Sequence, residues 1–538
     1  MNRRSFLSVP AATASFFGLA SEGHASAATP HQWVQGEVLH ILPSVSDTEL
    51  LIKVSLSTAQ KNAPVLQIAG RPVKGEQTDS QGFFWQFHAT KLTPATDYRL
   101  TLMSTSPSRQ LCSAWEIKTL PDPESSPDHL RLLLFTCAGG HQVNGYLPAS
   151  VRNKLLNRGL SFKPDAAVAN GDHIYWDLQS PLTAKGLGQS PQSRLLAGLP
   201  DRSAPALGSD NESFLKTLAG PQIVEVYGTD FRSTPVYFIQ DDHDYFENDD
   251  ATDEIVTFPP DHFMTEMARA TQLLYYPEFL RDANRPAGLP GASAKGRALR
   301  FSESFGTLRW GKLIEVLMYT VRRSMTMSGP SAVFLEDTVE KWLLERMAQT
   351  TTTHVLNIPS NPPGWTAGKW GEWYPDVFTA SGQLSIKTPK PYWQTGWLKQ
   401  HDRLLQAMSK MKGRVPLVVS GDLHACALGH IKRTGDIDLS ANPVFAVLVG
   451  PIGTRDSGWP SGVRKILPQP SLHLQMEELV KPIEQHGFTI ADFTPTSITL
   501  RMFKWDKKTQ SINDIDSLEP FHVVEMPVPS KGAQATGQ

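Results

Sequence analysis

Cysteine is scarce in this chain of 538 residues, which holds only Cys112, Cys137 and Cys426. So few thiols exclude a disulfide-stapled scaffold, and an odd count leaves at least one unpaired. A charge excess of either sign is also missing. Lys and Arg number 51 against 53 Asp and Glu, for a formal net charge of -2, and the pI is about 6.8. That balance gives no support for nucleic-acid binding, which shows as a basic excess. It leaves room for small anionic substrates met at a local site. Beyond the N-terminal segment no apolar run approaches the ~20 residues of a membrane span. Neither a Gly-x-Ser-x-Gly elbow nor a Gly-x4-Gly-Lys-Ser/Thr loop occurs, which removes the signals for acyl transfer and NTP hydrolysis. No internal repeat is present. What remains is 40% hydrophobic and 19% charged, the composition of a soluble globular protein. The chain is too long for one ordinary core, so two domains are expected.

Arg3 and Arg4 precede Phe6, Leu7, a moderately apolar run and an Ala-x-Ala pattern ending at Ala27. This predicts a twin-arginine (Tat-type) signal over 1–27, export by the Tat machinery, and a periplasmic or secreted protein. Such cargo is exported folded, often with its cofactor inserted, so the signal hints at a metal or cofactor. Residues 31–120 hold short, partly alternating runs rich in Val, Ile, Tyr, Phe and Trp, separated by turn clusters. They predict a small β-sandwich, and Leu92-x-Pro-x-Thr-x-Tyr98 resembles the corner before a late strand of fibronectin-type domains. Residues 121–129 read as a linker. From Leu130 near-continuous apolar runs alternate with helix-like stretches. This predicts buried strands and an α/β catalytic domain over 130–525, followed by a tail over 526–538. Residues 178–230 read as a loop-rich insertion.

The chemistry sits where the apolar runs end, as it does in α/β sheets. Cys137 follows the first run. Asp172 follows the second, with Tyr175 three residues on. Asp241, Asp242, His243 and Asp244 follow the third. Asp422 and His424 follow a later one. Each signal alone has a bland explanation: a turn, a small core residue, a hydrogen-bonded histidine. Four adjacent ionisable groups leaving a core strand are different, because they resist burial unless a cation or water compensates. Four such sites after four core strands point to a metal centre.

On these motifs the chain resembles the alkaline phosphatase D (PhoD-like) family of calcineurin-like metallophosphoesterases. The strand-end cysteine matches Cys137, Gly-Asp-x-x-Tyr matches Gly171 to Tyr175, and Asp-Asp-His-Asp/Glu matches Asp241 to Asp244. Ser-Gly-Asp-x-His matches Ser420 to His424, and an aromatic-x-Arg helix resembles the segment with Trp397 and Arg403. The resemblance spans nearly the whole mature chain. It implies a metallophosphoesterase α/β/β/α sandwich preceded by an Ig- or fibronectin-like β-sandwich. It also implies a two-metal centre in which Cys137, Tyr175 and His424 hold Fe3+. Asp242 and Asp422 would hold a second divalent ion, Ca2+ or else Mn2+ or Mg2+, with Asp172 bridging the two. His243 would contact the phosphoryl group. Phenolate and thiolate suit trivalent iron, and carboxylates suit a hard divalent ion.

One departure stands out. Where the family has Asp-Thr-Arg after a core strand, this chain has Tyr319-Thr320-Val321-Arg322-Arg323. If the family's Arg binds the phosphate, Arg322 or Arg323 substitutes for it or substrate choice has changed; the alternative is a surface loop. Whether Asp241, Asp244 or Asn248 completes the coordination is left open. Trp365, Trp370, Trp373 and Tyr374 could rim the cleft or pack on the neighbouring domain. Cys112 and Cys426 read as core thiols. The implied activity is hydrolysis of phosphodiesters or phosphomonoesters, on a small phosphate ester or a phospholipid head group. The alternatives are a phospholipase D-like hydrolase and a non-catalytic binding or adhesion protein with a structural metal.

Overall fold

The computed structural model describes residues 33–176, 191–245, 259–281, 301–327, 329–368, 376–388, 394–455 and 460–529. The expected signal, Asn248, Trp370, Trp373, Tyr374 and most of the expected tail lie outside them.

Two antiparallel sheets open the described chain. Val38–Val45, Leu50–Leu56, Phe84–Ala89 and Glu76–Gln77 form one; Arg71–Lys74, Val65–Ile68, Asp97–Thr105, Ser108–Gln110 and Trp115–Lys118 form the other. Asp97–Thr105 buries every second residue, Tyr98, Leu100, Leu102 and Ser104, as a strand covered on one face should. Tyr98 Oη accepts from the Thr93 amide at 2.7 Å, the hydrogen bond that makes a tyrosine corner. Leu50–Leu56 is buried at every position, because its second face meets the rest of the protein. There Lys53 Nζ donates to Gln86 Oε1 at 2.7 Å and to the Leu273 carbonyl at 3.1 Å, and pairs with Glu278 at 2.9 Å.

His40 lies in the same buried seam. Its Nδ1 is 2.5 Å from Ser55 Oγ and its Nε2 is 2.8 Å from the Tyr275 carbonyl. Burial pulls its pKa from 6.5 to about 4, opposed by the Tyr275 carbonyl and helped by the Lys53 ammonium. Between those values the unfolded chain binds the extra proton and the folded one does not, so stability falls as pH drops from 6.5 to 4. The shift is worth roughly 3 kcal/mol at most. Urea unfolding of wild type and His40→Gln across this window should show the gap between them closing or reversing toward pH 4. Parallel curves would mean that His40 does not titrate as described.

The larger part of the chain has two sheets. One runs Val236–Ile239, Ala166–Asn170, Leu130–Phe135, His486–Phe493, Ser497–Trp505, His522–Pro527, the first three parallel and the rest antiparallel. The other runs Phe305–Trp310, Ile314–Tyr319, His354–Pro359, Leu417–Ser420, Val444–Val449, Cys426–Thr434, Ile437–Asp438, with Leu474–Ile483 also on Cys426–Thr434. Leu133, Phe135, Ala167 and Ala169 of the first pack under the helices Ala149–Ser161, Asp210–Tyr227 and His262–Tyr275. Leu317, Val355, Val418 and Leu448 of the second pack under Asp337–Ala348 and Thr395–Ser409. Alternate residues such as Leu132, Leu134, Val316 and Met318 are equally buried and point to the opposite face, between the sheets. The order is therefore α/β/β/α, with a β-sandwich before it.

Two regions differ from the sequence expectation. Within 178–230, Pro191–Ala197 and Asp210–Tyr227 are helices, the second capped by Ser209, whose Oγ accepts from the Asn211 amide. Gly220 and Pro221 and burial on several sides hide its 3.6-residue stripe. The last strand runs to Pro527, two residues into the expected tail.

Candidate metal centre

The four strand ends meet. Cys137, Asp172, Asp422 and His424 have φ of 49°, 56°, 64° and 49°. This left-handed region is uncommon for non-glycine residues and costs about 1–3 kcal/mol each, so it persists only where the surroundings enforce it. They do so through backbone stitches. Cys137 N donates to Gly171 O at 3.1 Å, Gly139 N to Asp172 O at 2.9 Å, and Gly171 N to Ile239 O at 2.7 Å. Across the sheets, Thr136 N donates to Gly450 O at 3.2 Å and Gly453 N to Cys137 O at 2.8 Å. A Cβ on Gly421 would stand 2.0 Å from Thr136 Oγ1, so only glycine lets the Asp422 loop come this close.

Asp172 is the hub. Its Oδ2 accepts from Tyr175 Oη at 2.6 Å and from Cys137 Sγ at 3.3 Å, and lies 3.8 Å from His424 Nε2. Tyr175 Oη is 2.9 Å from His424 Nε2. Ligand atoms of three groups fall within 4.8 Å of one another: Cys137, Asp172 and His424; Asp172, Asp242 and His243; Asp241, Asp242 and Asp422. Asp172 and Asp242 each belong to two groups, so the groups form one continuous cluster. His243 stacks on Tyr175 at 4.2 Å between centroids and is 21% exposed, while Asp242 is wholly buried.

The electrostatics favour a cation. Burial first, then the Asp242 charge, pushes the Asp172 carboxyl well up. Burial, then Asp172, does the same to the Cys137 thiol and the Tyr175 phenol. Burial also raises Asp241, against the pull of Arg322. Asp172 Oδ1 and Asp241 Oδ2 are buried and accept no hydrogen bond among the described residues. Carboxylate oxygens left this way call for a positive charge. The thiol, phenol, imidazole and carboxylate donors fit metal ions of mixed hardness.

The residues left open by the sequence now have places. Asp244 is committed to the backbone. Its Oδ2 accepts from the Asp172 and Asp241 amides at 3.0 and 2.9 Å, and its Oδ1 from those of His173 and Ile174 at 2.9 and 3.2 Å. Asp241 faces Asp242 and Asp422 and accepts from Arg322 Nε at 2.9 Å. Arg322 is wholly buried, with Nη2 3.6 Å from Asp422. Arg323 turns away to Glu303 at 2.6 Å. Trp365 does not rim the cleft: it is buried and its Nε1 donates to Glu478 at 3.2 Å. Trp397 is buried, donating to the Thr326 carbonyl at 2.9 Å, and Arg403 reaches Glu340 at 2.8 Å. Burial raises both Cys112 and Cys426 to about 12, as expected of inert core thiols.

Sequence reasoning missed two supports and one buried amide. Gln222, on the helix hidden by Gly220-Pro221, takes the Gly140 and Tyr175 amides on its Oε1 at 2.6 and 2.8 Å. Thr136 Oγ1 sits 3.1 Å from Cys137 Sγ and donates to the Asn170 carbonyl at 2.5 Å. Asn361, just past the strand beside the Arg322 segment, is wholly buried with neither amide atom hydrogen-bonded among the described residues. The available signal for Asn361 was an amide directly after a core strand and before Pro-Pro.

Paired sheets with helices outside and the cluster at their strand ends define the metallophosphoesterase type of α/β fold. The solved structure of PhoD matches 92% of this chain and 93% of its own, with a TM-score of 0.59 at 12% identity; the fold is PhoD-like. A second structure, GAP50, the anchor in the inner membrane complex of Plasmodium, covers 76% of this chain and 91% of its own at 9% identity, but its TM-score of 0.35 carries no weight. No family model matches the sequence, and no curated protein matches it.

Proposed function

We propose that the chain is an exported metal-dependent phosphoesterase that hydrolyses phosphodiesters or phosphomonoesters at a two-metal centre. The observation that carries the reading is the sharing of Asp172 and Asp242 between adjacent ligand groups, the arrangement a bridged pair of ions needs. Cys137, Tyr175 and His424 would hold Fe3+. Asp242 and Asp422 would hold a divalent ion, Ca2+ before Mn2+ or Mg2+, and Asp172 would bridge. When bound, such ions supply Lewis acidity and lower the pKa of water.

The protein's own groups do the rest. Asp244 and Gln222 fix the loops that present Asp172 and Tyr175. His243, partly exposed and braced on Tyr175, meets the substrate and gives a proton to the leaving oxygen. Arg322 neutralises Asp241 and Asp422 from behind and biases the floor of the site toward phosphoryl oxygens. The substrate is a small phosphate ester or a phospholipid head group. The Tat route from the N-terminal arginines belongs to the proposal. No helix among the described residues is long and apolar enough to cross a membrane.

The test is hydrolysis of bis-p-nitrophenyl phosphate by the purified protein, before and after chelator treatment, with metals counted. Turnover that disappears with the metal and returns on adding iron and calcium is expected, along with a visible absorption band from the tyrosinate. Bound metal without turnover on any phosphate ester would favour the binding-protein reading instead.

A further inference from the structure

Arg152 is a cation where the fold favours an apolar residue. It falls in the first turn of the helix Ala149–Ser161, where the backbone dipole disfavours positive charge. It also lies in the buried stripe of that helix, with Val151, Leu155, Leu156 and Gly159, and is 1% exposed. Burial lowers its pKa to about 10, opposed by the Tyr227 phenol, Glu225 and the Tyr146 phenol. Its Nε meets no acceptor among the described residues. A leucine or methionine would fill the stripe without the cost of burying a charge.

What the arginine holds is the Cys137 loop. Its Nη1 donates to the Ala138 carbonyl at 2.8 Å. A Cβ on Gly453 would stand 2.8 Å from its Cδ, so the Gly453 backbone lies flat against it. Gly453 N in turn donates to Cys137 O at 2.8 Å. Two consecutive carbonyls of the loop are thus taken by one backbone segment and by the arginine packed on it. The loop needs such ties, because Cys137 has a left-handed backbone at φ 49° that its surroundings must enforce. The remaining ties are Cys137 N to Gly171 O, Gly139 N to Asp172 O, and Gly140 N to Gln222 Oε1. Arg152 and Gln222 are the side chains among them. Asp242 and Asp422 leave other strands, whereas the thiol of Cys137, 3.3 Å from Asp172 Oδ2, depends on this loop.

We propose that Arg152 is a positioning residue for the iron side of the centre: by holding the Ala138 carbonyl it keeps Cys137 in its strained turn with the thiol on Asp172. It acts through Cys137 and does not meet substrate. The proposal rests on the metal assignment in the reading above, and its test does not depend on turnover.

The experiment loads metal-free wild type, Arg152→Met and Arg152→Lys with iron and calcium, then titrates each ion out with a chelator. Absorption is followed at the tyrosinate band, and the metal-free proteins are melted in parallel. Methionine keeps the packing in the stripe and removes the donor, while lysine keeps a charged donor. Arg152→Met should melt near wild type without metal and hold calcium as wild type does. It should lose iron affinity by ~10–100-fold, the usual effect of removing a residue that supports a ligand from behind, with a shifted band. Arg152→Lys should recover part of both. Unchanged iron affinity and band in the two variants would overturn the role. So would equal loss of iron and calcium with a collapsed melting temperature, the mark of a merely structural residue. Wild type that takes up no iron would take down the metal assignment as well. The expected iron pattern in a protein that cleaves no phosphate ester would support Arg152 and remove only the phosphoesterase.

Discussion

Asp172→Asn is expected to fold, to bind little metal and to lose bis-p-nitrophenyl phosphate hydrolysis by more than ~10³-fold, since one lost electrostatic contact in an active site already costs ~10²–10³. Asparagine is the right probe. It tolerates the left-handed backbone that residue 172 adopts at φ 56°, and its amide oxygen can still accept from Tyr175 and Cys137. The stability change should have an unusual sign. The Asp172 carboxyl is held well above the carboxylate range by burial and by its acidic neighbours Asp242, Asp244 and Asp422. Its ionised form therefore costs folding free energy at neutral pH, and the neutral amide removes that cost. Metal-free variant should melt no lower than metal-free wild type, while added metal should raise the melting temperature of wild type alone. A variant that melts well below metal-free wild type would show that Asp172 is a structural residue. One that keeps both metal and turnover would show that the cluster is not the catalytic site.

Arg322→Met is the second large effect, and it runs the other way. The guanidinium is wholly buried, donates to Asp241 and approaches Asp422. Truncation leaves those carboxylates in a dry site with less positive charge, which typically costs 3–5 kcal/mol, about the range for breaking a buried pair from one side. Chemical denaturation of the metal-free protein should show that loss, and a divalent ion should recover part of it by supplying the missing charge. Arg322→Lys, which keeps the charge but not the fork, should fall between. A loss below about 1 kcal/mol, the scale of an exposed pair, would mean that Arg322 is not holding the acidic floor together.

How much of this could be read in the sequence varied with how local each signal was. The strands before Cys137, Asp172, Asp241 and Asp422 were legible because each is a continuous apolar run that stops abruptly at ionisable groups. The corner at Tyr98 was legible because its pattern fits inside seven residues. The helix Asp210–Tyr227 was not, since burial on several sides erases the stripe that periodicity depends on. The fates of Asp241 and Asp244 could not be separated either. The two are chemically identical, and only the fold decides that one meets a guanidinium and the other four backbone amides. The same holds for Arg322 and Arg323, where a step of one position sends one side chain into the site and the other to Glu303.

The seam between the β-sandwich and the remainder has a consequence for how the molecule is made. Lys53 reaches the Leu273 carbonyl across 220 positions of chain, and its charge partner Glu278 lies just beyond. Until both ends arrive, one half exposes an ammonium and the other a carboxylate where each later needs the other. Contacts so remote in sequence form late and slowly. The described residues from 35 onward form one compact unit. The seam between the sandwich and the remainder therefore closes only once Glu278 has joined Lys53.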